Sequence, residues 1–154
     1  MKSYFEHMDT FGKELKAGRI KRALESKGQL EAAEATIAGE KKKVEEVGFS
    51  TEKINARGWM TVWQRIEYLV DPGSWTPLHT LYNPLDNTEG TTNVVDGLAK
   101  IGGRWAVVIG FDNKVMAGAW LPGQSENILR VTDLAMRLNI PLVWLVNCSG
   151  AKLT

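Results

Sequence analysis

Apolar positions in the first third of the chain recur at helical spacing but form a narrow stripe. Phe5, Met8, Phe11 and Leu15 lie three or four residues apart, and Ile20 and Leu24 resume the pattern after Gly18. One helix or two short ones is predicted over residues 3–24. A second helical pattern covers residues 26–47, where Leu30, Ala33, Ile37, Val44 and Val47 mark one side. Glu40 and Lys41 interrupt that side, Gly39 weakens the helix and Gly48 is a natural stop. A helix this long with so thin an apolar stripe is marginal unless it lies against other protein. Residues 1–58 are therefore expected to be a helical arm and interface segment. The Lys41, Lys42 and Lys43 run is flanked by Glu40, Glu45 and Glu46, which makes it a solvated face rather than an anion site.

The pattern changes near residues 55–59. Thr61 and Gln64 have capping-box spacing ahead of a short helix over residues 62–69, with Val62, Ile66 and Leu69 on its buried side. Asp71, Pro72, Gly73 and Ser74 make a turn. Trp75, Leu78 and Leu81 continue the packed layer, and Asn83, Pro84 and residues 87–92 are expected to be an exposed loop. Strands are predicted over 94–98 and 105–111 around a Gly102-Gly103 hairpin connection. A third strand is predicted over 115–120, after a turn at Asp112, Asn113 and Lys114. Pro122, Gly123 and Gln124 break the strand pattern. Residues 125–138 then read as a helix with Ile128, Val131, Thr132, Ala135 and Leu138 on one side, stopped by Asn139 and Pro141. Residues 142–146 are continuously apolar, as in a strand buried on both faces of an α/β sheet. The order β-β-β-α-β gives an α/β fold for residues 59–154. The chain's stop soon after so apolar a strand suggests the first segment of a larger fold or a subunit completed by a partner.

Composition narrows the function classes. The chain has 154 residues and a formal charge of +1, one domain's worth of polypeptide with no global field to attract nucleic acid. The hydrophobic fraction of 44% can fill a core, yet no apolar run approaches the roughly 20 residues that cross a bilayer. With no apolar signal segment after Met1, the protein reads as intracellular. All six tryptophans lie beyond residue 58, which makes that part the core-forming one. One cysteine excludes an internal disulfide, and His7 and His79 are too far apart in sequence to argue for a metal site.

Local chemistry is sparse. Gly102-Gly103 lacks the spacing of a dinucleotide fingerprint or a phosphate-binding loop. Neither Cys148 nor Ser149 can be paired with a base from the sequence, and Cys148 is expected to be a buried, non-catalytic side chain. Small residues at Ala117, Gly118 and Ala119 permit close packing or the approach of a ligand. Successive amides at Ser149, Gly150 and Ala151 form either an ordinary strand-to-helix turn or donors converging on an oxygen anion.

Three stretches in order carry a family resemblance: RGWMTVWQRIEYLVDPGSW at 57–75, KVMAGAW at 114–120 and PLVWLVNCSG at 141–150. Together they resemble the biotin-dependent acyl-CoA carboxyltransferases. The helical prefix, Trp75-Thr76-Pro77-Leu78 and Asn147-Cys148-Ser149-Gly150 are most similar to the sodium-pumping decarboxylase branch, whose acyl-CoA is glutaconyl-CoA. The resemblance covers essentially the whole chain and only the beginning of such a protein. It implies a crotonase-like α/β fold, incomplete and amino-terminal here, with residues 59–154 opening the acyl-CoA-binding domain. It also implies transfer of the substrate's carboxyl group to biotin carried by a partner domain, with coenzyme A as the substrate's carrier. Further implied partners are the remainder of the carboxyltransferase, a biotin carrier, a membrane decarboxylase subunit and a second copy in a homo-oligomer. The implied location is cytoplasmic and peripheral to a membrane complex.

Residue by residue, the resemblance assigns Ala117, Gly118 and Ala119 to the wall of the CoA site. It makes the Gly150 or Ala151 amide the first thioester oxyanion donor. Ala151 stands where broader relatives have glycine. Lys152 stands where many have arginine and is placed to contact a phosphate or solvent. Cys148 matches the decarboxylase form without a nucleophilic duty. A chain of this kind is expected to be catalytically incomplete alone. The competing readings are a non-catalytic CoA-binding or scaffold subunit completed by a partner chain, and a helical-interface protein that recognises no CoA.

Overall fold

The computed structural model describes residues 16–85 and 87–152. The predicted helical positions Phe5, Met8, Phe11 and Leu15, together with His7, lie outside the described residues. The described residues divide into two units, meeting between Ala38 and Gly39.

Helix α1 runs over Ala17–Glu46 without a break, and none of its residues is buried. The interruption expected at Gly39 does not occur, and Gly18 lies in the first turn of the described helix. Each glycine costs about 1 kcal/mol against alanine, and the surrounding Ala, Glu, Lys and Leu residues are strong helix formers. Exposed pairs one turn apart, Lys27 with Glu31 at 3.6 Å and Lys42 with Glu46 at 3.8 Å, each add about 0.3–0.5 kcal/mol.

Within residues 39–154, the chain turns at Gly48, where the Phe49 amide donates to the Lys114 carbonyl at 3.0 Å and Lys114 Nζ donates to the Glu45 carbonyl. Helix α2 (Thr51–Asn55) starts on Ser50, whose hydroxyl accepts from the Lys53 amide, and buries Ile54. Helix α3 (Val62–Leu69) opens on the expected capping box: the Gln64 amide donates to Thr61 Oγ1 and the Thr61 amide to Gln64 Oε1.

Strands β1 (Thr76–Leu78), β2 (Val94–Ile101), β3 (Arg104–Phe111) and β4 (Leu142–Leu145) form one sheet in the order β1-β2-β3-β4. The first two pairings are antiparallel. The last is parallel, with Ile109 beside Trp144, and helix α4 (Gln124–Leu138) makes the crossover. Strand alternation sends Val107, Ile109 and Phe111 towards Val131 and Ala135 of α4. It sends Val95, Ala99 and Val108 towards Val62 and Ile66 of α3. Each buried aliphatic side chain contributes roughly 1.5–3 kcal/mol, so helices on both faces hold the sheet. The β2–β3 hairpin turns at Gly102-Gly103 as expected, and both of their amides donate to the Asp71 carboxylate, at 2.9 and 2.7 Å.

Several expectations are corrected. The segment predicted as a strand over 115–120 is a 3-10 turn over Met116–Gly118 instead. Among the described residues β4 stands at the edge of the sheet, with Trp144 41% and Val146 64% exposed, so the cover expected for so apolar a strand is not supplied by them. The loop expected to be exposed buries Asn87, Thr91 and Thr92, because Asn87 Nδ2 donates to the Thr91 carbonyl at 2.7 Å and to Asn83 Oδ1 at 2.8 Å. Leu81, expected in the packed layer, is exposed. Cys148, expected to be buried, is exposed, because it follows an edge strand rather than a covered one.

Candidate functional site

The end of β3 leads through Asp112, Asn113 and Lys114, all buried, into a turn with an unusual backbone. Met116, Ala117 and Gly118 have φ of 48°, 52° and 76°. Two successive non-glycine residues in the left-handed region cost of order 1 kcal/mol each and need surrounding structure to hold them. That support comes from the segment after β4. Ser149 Oγ donates to the Met116 carbonyl at 3.1 Å. The Trp120 amide donates to the Gly150 carbonyl at 2.7 Å, and the Lys152 amide to the Trp120 carbonyl at 3.0 Å, which makes a one-residue parallel bridge between Trp120 and Ala151.

All the residues singled out by sequence are brought to this junction or its border. Ala117, Gly150 and Ala151 are exposed, while Gly118 and Ala119 are buried. A Cβ at Gly118 would stand 2.1 Å from the Asn147 carbonyl oxygen, so the missing side chain there serves backbone-to-backbone approach. A Cβ at Gly150 would meet nothing among the described residues within 4 Å. The Gly118 and Ala119 amides are spent inside the turn, on the Val115 and Met116 carbonyls at 2.9 and 3.0 Å. The Gly150 and Ala151 amides have no partner among the described residues. Two unpartnered amides beside open space suit an anionic oxygen. Lys152 Nζ pairs with Glu89 Oε1 at 2.6 Å, both partly buried, which fixes its position and partly neutralises its charge.

An aromatic cluster borders the junction. Phe111 meets Trp120 and Trp144 edge to face, with centroids 6.1 and 5.9 Å away. Beneath lies a buried amide cluster that the sequence reading missed: Asn93 Nδ2 donates to the Ala119 carbonyl at 2.7 Å, and Gln124 Nε2 donates to the same carbonyl at 3.1 Å and to Asn93 Oδ1. A strand-start Asn before Val94 was the available signal, since Asn tolerates the left-handed backbone found there, φ 53°.

Burial raises two carboxyls near the sheet's amide cluster. Asp96 on β2 is buried, and desolvation pushes its carboxyl up to about 6 while the hydrogen bond and charge of His79 oppose the rise. The His79 Nδ1 to Asp96 Oδ1 distance is 2.9 Å, and Asp96 Oδ2 has no partner among the described residues. Burial also raises Asp112, against hydrogen bonds from the Lys114 amide and Trp63 Nε1. Both acids line a small cavity with room for about one water. Among the described residues no three His, Cys, Asp or Glu side chains are grouped to hold a metal ion, and no helix is long and apolar enough to cross a membrane.

Residues 53–154 match the family model described as the carboxyl transferase domain. The chain is 45% identical over 152 residues to the glutaconyl-CoA decarboxylase subunit alpha of Acidaminococcus fermentans, covering 99% of this chain and 25% of that protein. It thus spans about a quarter of that relative's length. Among solved structures, transcarboxylase 12S with hydrolysed methylmalonyl-coenzyme A bound is similar with a TM-score of 0.68 at 23% identity, over 77% of this chain and 25% of that one. The geranyl-CoA carboxylase beta subunit of P. aeruginosa gives 0.61 at 21% identity, over 99% of this chain and 28% of that one. These likenesses establish a carboxyltransferase fold of the crotonase-like kind.

Proposed function

This chain belongs to the carboxyl transferase domain family, and from that premise we propose that it supplies the thioester-binding side of a biotin-dependent carboxyltransferase. The assembly moves a carboxyl group from an acyl-CoA, glutaconyl-CoA in the first instance, to biotin held by a partner domain. It works within a sodium-pumping decarboxylase that also contains a membrane subunit, and more than one copy of the chain is present. Its location is cytoplasmic, at the face of that membrane complex. Transfer belongs to the assembly and not to these 154 residues alone.

The observation that carries this reading is the junction of residues 116–120 with 147–152, formed by the stretches that resemble the family's CoA site. The Gly150 and Ala151 amides, without partners among the described residues, would meet the thioester oxygen as it gains charge on departure of the carboxyl group. A preorganised donor there stabilises the developing enolate more than the neutral thioester, and so accelerates transfer. Ala117 and the half-exposed Trp120 form the adjoining wall, while Lys152, held by Glu89, borders the site for the phosphates of coenzyme A. Biotin, when bound by its partner domain, supplies the ureido nitrogen that accepts the carboxyl group.

Calorimetric titration of the native assembly with glutaconyl-CoA, followed by rapid-quench measurement of labelled carboxyl appearing on biotin, tests the proposal. Saturable binding with transfer supports it. Binding without transfer favours a non-catalytic CoA-binding subunit.

A further inference from the structure

We propose that Asn93 and Gln124 are positioning residues that aim the Ala151 amide through two successive peptide planes. The inference rests on the thioester reading above and deepens it. The peptide joining Ala119 to Trp120 is held at both ends. Its carbonyl accepts from Asn93 Nδ2 at 2.7 Å and from Gln124 Nε2 at 3.1 Å, and its N–H donates to the Gly150 carbonyl at 2.7 Å. The peptide joining Gly150 to Ala151 is held in turn by that carbonyl.

A trans peptide is planar and points its C=O and N–H in opposite directions, and no peptide in the described chain is cis. With the Gly150 carbonyl fixed on Trp120, the Ala151 N–H therefore points away from Trp120, and it has no partner among the described residues. Orientation passes from the Asn93 side chain to peptide 119–120 and then to peptide 150–151. The Gly150 amide belongs to the preceding peptide and receives no such constraint. Of the two candidate donors, Ala151 is the preorganised one.

The anchor is built to hold. Asn93 and Gln124 are 1% and 0% exposed, and the Asp112 amide donates to the Asn93 carbonyl at 2.7 Å, fixing that residue to the end of β3. The cluster also leaves Gln124 Oε1 buried without a partner among the described residues. Plain apolar packing would avoid that cost, since a buried unsatisfied group is unfavourable.

Asn93→Asp preserves size and the acceptor for Gln124 but replaces the Nδ2 donor by an oxygen facing the Ala119 carbonyl. Asn93→Gly keeps the left-handed backbone easy and removes the donor altogether, so it serves where the first variant fails to fold. Hydrogen exchange of the Trp120 amide, read in this chain without any assay of activity, is expected to accelerate about tenfold or more in either variant. In the native assembly, single-turnover carboxyl transfer at saturating acyl-CoA is expected to fall about tenfold or more, with acyl-CoA affinity changed less than about threefold. Wild-type Trp120 protection, or wild-type transfer, in a folded variant would overturn the inference, as would equal losses of affinity and transfer. A wild-type assembly that neither binds acyl-CoA nor transfers carboxyl would instead remove the thioester reading, while the exchange measurement would still test the peptide relay.

Discussion

The Trp120 amide donates to the Gly150 carbonyl at 2.7 Å, although 29 residues of intervening chain, including all of α4 and β4, separate them. That bond joins the turn after β3 to the segment after β4, and it places the small residues of one beside the Gly150 and Ala151 amides of the other. Substitutions on the two sides should behave differently, because one side is filled and the other is open.

At Gly118 the filled side is tested. Alanine there would carry φ 76° and set its Cβ 2.1 Å from the Asn147 carbonyl oxygen. Left-handed strain and the backbone clash together should cost more than about 2 kcal/mol. Urea unfolding of Gly118→Ala checks this. An unchanged midpoint would mean that the two segments do not approach as described.

Asp71 makes a separate claim about the fold. Its carboxylate accepts from both glycine amides of the β2–β3 turn. The amides are exposed, so water replaces part of what Asp71→Ala removes, and a loss of about 1 kcal/mol is expected in the same unfolding assay.

The Asp96 carboxyl gives stability a pH slope. Its folded value of about 6 lies above the ordinary 3.8, so between those values the folded chain keeps a proton that the unfolded chain has released. Stability from this group is therefore greatest at and below the lower value and declines as pH rises through about 6, by at most about 3 kcal/mol. Asp96→Asn should flatten that part of the profile in urea midpoints measured between pH 4.5 and 7.5. An unaltered slope would remove the assignment.

Cys148 is exposed, with its Sγ 3.3 Å from the Gly150 carbonyl oxygen. Cys148→Ser should shift stability by no more than about 0.5 kcal/mol and leave carboxyl transfer intact, as rapid-quench kinetics would reveal. Loss of transfer with normal stability would give the thiol a direct chemical role.

What the sequence made legible was mostly local. Thr61 and Gln64 announced α3 through a reciprocal cap closed within one turn, and Asn139 ended α4 by its tolerance of the left-handed backbone. The two small-residue stretches were also visible, through their family resemblance. The conformation at Met116 was hidden because Val-Met-Ala-Gly-Ala-Trp reads as a strand until Ser149 and Asn147 close on it from the far side of α4. Trp144 and Val146 lie on a strand whose outer cover the described residues do not supply. An apolar run does not reveal whether both faces of its strand are covered. Gln124 carries no sequence signal and Asn93 only its place before a strand, and what they do together emerges where both side chains reach the Ala119 carbonyl.

The most direct test of the account is single-turnover transfer of labelled carboxyl from glutaconyl-CoA to biotin by the native assembly, compared between wild type and Gly150→Val. Valine at φ 137° meets no neighbour among the described residues within 4 Å of its Cβ but strains the backbone that carries the donor amides. The wild type should transfer label. The variant, with its fold intact, should bind acyl-CoA nearly as well yet transfer roughly a hundredfold more slowly, the loss expected for one oxyanion donor. Absence of label on biotin in the wild type, or a wild-type transfer rate in the folded variant, would contradict the placement of the thioester at this junction.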